Sequence, residues 1–143
     1  MLVATHMAAA SAMYVLSSVK NTSGIQKTVA LPVILALSLC SHFALDAVPH
    51  FELQMLSNVL IGSLIILFLL YIAWRDKDVF VLVSAFLGAL PDVMWVLKIS
   101  PRFDEMHSFL HSTVTHAPPY SIILELLALA SIVFIIYKAP RKT

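Results

Sequence analysis

The stretch MLSNVLIGSLIILFLLYIAW, residues 55–74, runs for twenty residues without one charged side chain. As an α-helix it is about 30 Å long, the thickness of the hydrocarbon core of a bilayer. It does not alternate with the two-residue period of a half-buried strand. It therefore reads as a transmembrane helix, and lipid becomes the solvent in which the rest of the chain is interpreted.

Working outward, SIILELLALASIVFIIY at 121–137 is nearly as apolar and carries one charge, Glu125. Three further apolar spans lie near 1–19, 28–48 and 79–97, separated by KNTSGIQK, by RDKD and by a longer stretch from about 98 to 120. The first span has no basic residues ahead of it, so it reads as a retained helix and not as a leader. The chain has 143 residues, 60% of them hydrophobic and 12% charged. This is too apolar for an ordinary soluble domain. The expected fold is all-α: one membrane-embedded domain over 1–143, a polytopic bundle of four to five spans. Pro49 and Pro91 predict kinked helices, because proline removes a backbone donor and crowds the preceding turn.

Composition also removes several function classes. The net charge of +1 and the lack of a basic tract give no sign of a nucleic-acid partner. Cys40 is the single cysteine, so there is neither a disulfide framework nor a thiolate cluster. Any transition metal must be held by histidines and carboxylates. Alternate crossings place Lys20, Lys27, Arg75, Lys77, Lys138, Arg141 and Lys142 on one side and only Lys98 and Arg102 on the other. The positive-inside bias makes the first side cytoplasmic.

With that orientation the polar residues sort to one end. His6 starts the first span, and His42, Asp46 and His50 climb the outer half of the second in SHFALDAVPH, residues 41–50. Four-residue steps keep these three on one helical face. Asp92 in GALPDVMW ends the fourth span, His107 and His111 form an i, i+4 pair in HSFLHS, and Glu125 and His116 lie nearby. An ionised Asp near the bilayer centre costs about 3 kcal/mol on insertion scales, so such groups normally face a partner, a cavity or a metal. Interhelical hydrogen bonding would explain one or two of them. Convergence at one end points instead to a divalent cation, with zinc suited to imidazole and carboxylate ligands.

His42-xxx-Asp46-xx-Pro49-His50, Gly88-Ala-Leu-Pro91-Asp92, His107-xxx-His111-Ser112 and the early Thr5-His6 pair together resemble the small bacterial inner-membrane metal-dependent hydrolases. That family is similar in motif to the all-helical zinc-dependent phospholipase C and single-strand nuclease superfamily. The resemblance implies a hydrolase acting through metal-activated water on phosphoesters or lipid headgroups, with membrane lipids as partners. It also implies the inner membrane, where the positive-inside count puts the site near the extracytoplasmic rim. Because Asp92 is followed by Val93 and Met94 and not by a second acidic residue, one or two metals are expected. The ligand candidates are His6, His42, Asp46, His50, Asp92, His107 and His111; Asp92 and Asp46 are the candidate catalytic carboxylates. Two other readings compete: a membrane protein that binds or transports metal, and a family member without catalysis. A transport pathway should continue through the bilayer, yet the inner halves of the spans carry no His, Asp or Glu.

Overall fold

The computed structural model describes residues 1–51, 53–113 and 118–139, with Lys20 and residues 110–113 described by backbone alone. Six α-helices are found among them: α1 (Val3–Leu16), α2 (Gly24–Asp46), α3 (Met55–Asp76), α4 (Phe80–Val96), α5 (Pro101–Thr113) and α6 (Ser121–Lys138). The chain is all-α, as its composition requires. Helices α2, α3 and α6 are long and apolar enough to cross a membrane, and a fourth crossing is added if α4 and α5 form one broken span. The protein is thus an integral membrane protein by the length and composition of its helices.

The first expected span takes a different form. Residues 3–16 make a helix of fourteen residues, about 21 Å long and short for a crossing. Ten of those residues are buried, and the helix is packed against α2, α3, α4 and α6. Helix α1 is therefore the core of the bundle, while its neighbours expose Val29, Leu64, Leu67, Leu127 and Phe134 outward. Its run of alanines explains the placement. Ala8 and Ala10 are fully buried, and such small side chains let helices approach closely where lipid offers no hydrophobic driving force.

The sharpest approach is at Gly88. A Cβ there would lie 2.6 Å from both the Cβ of Ala10 and the carbonyl oxygen of His6, so only glycine allows α4 to seat on α1. Nearby, Ser11 donates to the carbonyl of Val81 at 3.1 Å. Pro91 lies inside α4, which is continuous from Phe80 to Val96. The sharp turn comes later, where α4 and α5 meet at 108° across a short break in which Lys98 has φ 54°. Pro101 then opens α5, a position where its missing donor is harmless.

The helices alternate in direction, which collects their ends into two polar layers. In one layer Tyr14 donates to Asp78 at 2.8 Å, and Arg75 donates to the carbonyl of Tyr137 at 3.0 Å. The other layer contains the starts of α1, α3 and α6, the ends of α2 and α4, and the α5 histidine.

Candidate metal centre

Helix α1 contributes His6, α2 contributes His42 and Asp46, α4 contributes Asp92, and α5 contributes His107. All are buried except Asp92, whose side chain is 17% exposed. The Nε2 atom of His6 lies 3.1 Å from Asp46 Oδ1, and that of His42 lies 2.9 Å from Asp46 Oδ2. Asp92 Oδ1 is 3.7 Å from the Nε2 atoms of both His42 and His107. Two overlapping groups of potential ligands result: His6, His42 and Asp46, and His42, Asp92 and His107.

These contacts have the spacing of potential ligands. Ligand atoms held at about 2.1 Å around one tetrahedral ion stand about 3.4 Å apart, within the observed range. The Nε2 atoms of His6 and His42 are buried, each with an Asp46 carboxylate oxygen about 3 Å away.

His42 is the member most firmly fixed. Its Nδ1 donates to the carbonyl of Gly88 at 2.9 Å, which places a hydrogen on Nδ1 and turns Nε2 toward the carboxylates. The rings of His6 and His42 stack with centroids 4.1 Å apart. Both groups include His42, whose Nε2 faces Asp46 and Asp92 alike, so they could hold an ion as alternative portions of one site.

His107 is held from outside. Trp95 stacks on it at 5.8 Å with an interplanar angle of 13°, and Phe103 packs from another side. The indole of Trp95 donates to Ser108 at 3.2 Å, so Ser108 serves the tryptophan that braces the histidine.

His50 is placed differently from its neighbours in the ladder. Helix α2 ends at Asp46, because Pro49 disfavours helical backbone at Val48. His50 is buried with Nδ1 at 2.8 Å from the carbonyl of Val48, and it belongs to neither converging group. The side chain of His111 and the whole of His116 lie outside the described residues. Glu125 is buried beside the site, where its Oε1 accepts from the Leu2 amide at 2.7 Å and the Thr5 hydroxyl at 3.0 Å.

Sequence reasoning missed Trp95 and Asn58, and it named Gly88 as part of a motif without its packing role. The signals were present: a glycine four residues before Asp92, an aromatic three residues after it, and an asparagine in an apolar span. No protein-family model, curated protein or solved structure matches the chain.

Proposed function

We propose that this chain is a membrane-embedded, metal-dependent hydrolase of the small bacterial inner-membrane kind, related to the zinc-dependent phospholipase C and nuclease superfamily. The supporting observation is the convergence of three imidazoles and two carboxylates, at ligand spacing, inside an apolar bundle. A buried collection of this kind is expensive unless a cation repays it.

The donor set fits zinc. When bound, such an ion supplies Lewis-acid polarisation of the scissile bond and brings the pKa of water to about 7. Asp46 sits between His6 and His42 and neutralises part of the positive charge. Asp92 is the open member of the cluster, with Oδ1 facing His42 and His107 and Oδ2 lacking a hydrogen-bond partner. In this reading Oδ2 accepts the proton of the attacking water. Burial of the other four side chains excludes competing solvent.

The proposed substrate is a phosphoester, most simply a lipid headgroup, since the cluster sits where five helix ends meet. By the positive-inside count, this end is extracytoplasmic. The test is zinc content of detergent-purified protein, followed by hydrolysis of a phospholipid and nucleotide panel. The reading requires near-stoichiometric zinc and turnover of one phosphoester, with Asp92→Asn retaining the protein fold but losing turnover. Zinc binding without hydrolysis of any panel member overturns the enzymatic assignment, and metal flux in proteoliposomes would replace it with transport.

A further inference from the structure

Helix α1 begins without a cap of its own. Leu2 provides no side-chain hydrogen bond and the first turn holds no acidic residue. The exposed amides of a helix start need acceptors, and inside an apolar bundle water does not supply them. Two other helices do. Glu125 of α6 accepts from the Leu2 amide and the Thr5 hydroxyl, and Asn58 of α3 accepts from the Val3 amide at 3.2 Å.

The next residue after Thr5 is His6. A ligand histidine is usually oriented by a hydrogen bond from its other ring nitrogen. His42 has such a bond to Gly88, but Nδ1 of His6 is buried with no partner. With Nδ1 unanchored, the His6 ring takes its aim from the backbone of α1, from its stack on His42 and from the Asp46 carboxylate 3.1 Å from Nε2. What fixes the first turn of α1 fixes His6.

We infer that Glu125 and Asn58 form an interhelical clamp on the first turn of α1 that positions His6 for cation binding, Glu125 being a positioning residue and not a ligand. The inference rests on the metal-centre reading above. It also accounts for a carboxylate on a helix that otherwise presents leucine and isoleucine outward. The accepting oxygen faces the positive end of the α1 dipole, the favourable end for an acceptor.

The test is Zn2+ affinity of the full-length, detergent-solubilised protein, measured by competition with a chromophoric chelator. Glu125→Ala should weaken binding about tenfold, and by no more than His6→Ala does. Glu125→Gln, whose amide oxygen can accept the same two donors, should stay within about threefold of the parent. The deciding measurement is the coupling: in a His6→Ala background Glu125→Ala should add nothing, whereas in a His107→Ala background it should retain its full effect. Equal effects in both backgrounds, or an unchanged affinity, overturn the clamp. If Glu125→Ala does not fold, Asn58→Ala carries the same cycle, with a loss of about threefold expected, again only where His6 is present. A parent protein that binds no zinc defeats the metal-centre reading itself, a result separate from normal binding without coupling.

Discussion

His42 on α2 donates its Nδ1 hydrogen to the carbonyl oxygen of Gly88 on α4, and the same glycine presses against the backbone of His6 on α1. One residue without a side chain thus sets the separation of three helices and the orientation of the central imidazole. Gly88→Ala should therefore do more than overfill a core. The new methyl group meets the His6 carbonyl, part of a helix backbone that cannot rotate away. We expect a loss of at least about 2 kcal/mol in unfolding free energy, together with weakened zinc binding. Thermal unfolding in detergent, with and without zinc, checks both.

Asp92 offers the reverse trade. Its carboxylate stands 3.7 Å from two imidazole nitrogens and forms a hydrogen bond with neither. Without a cation it is a liability, so Asp92→Asn should leave stability in chelator unchanged or higher. Zinc at one hundred times the dissociation constant stabilises the parent by about 2.7 kcal/mol by mass action. At that same concentration a variant bound a hundredfold more weakly gains only about 0.4 kcal/mol. The stability order of the two proteins should invert between chelator and zinc.

Much of this arrangement is legible in the sequence because membrane helices obey few rules. The apolar run at 55–74 fixes α3 by length alone, and the spacing of His42 and Asp46 fixes their shared face. Two features are not legible that way. Hydropathy cannot separate a helix facing lipid from one buried by other helices, so α1 resembles a span although it is the core. Only its alanines hint at the difference. The ladder continues to His50 in sequence, but whether a proline three residues after Asp46 bends a helix or follows its end depends on tertiary packing.

Protons compete with metal for the same nitrogen atoms, and the sign follows directly. Any imidazole protonated in the free protein must lose that proton on binding, so zinc affinity can only rise with pH. Between pH 7 and pH 5 the apparent affinity should fall, with protons released into solution on binding. His6→Ala should weaken the affinity throughout this range. An affinity that falls as pH rises from 5 to 7 would remove the histidines from the site.

The opposite layer serves as the control. The Tyr14 hydroxyl donates to Asp78, whose other oxygen receives the amide of Phe80 at the start of α4. Tyr14→Phe removes one charge-assisted hydrogen bond and should destabilise the protein by about 1.5 kcal/mol. Because this contact lies at the far end of α1 from His6, zinc affinity should remain as in the parent. A metal-binding loss here would mean that the affinity changes predicted above report general loosening of the bundle.

Trp95 gives the site its own optical reporter. Its indole stacks on His107 at 5.8 Å and donates to Ser108, with the Lys98 ammonium 4.7 Å from the ring on the exposed rim. The other tryptophan, Trp74, is largely exposed on α3, and Trp74→Phe leaves Trp95 as the single tryptophan, excited selectively over the tyrosines. In that background zinc should change the emission, since fixing His107 alters the ring against which the indole rests. Chelator should reverse the change. Trp95→Ala should weaken zinc binding about tenfold, the scale for partners that orient a ligand, while lowering stability by only about 1 kcal/mol for the lost aromatic contact. His107→Ala in the single-tryptophan protein should abolish the optical response even at zinc concentrations that still load the remaining ligands. A response that survives His107→Ala would place the ion away from α5.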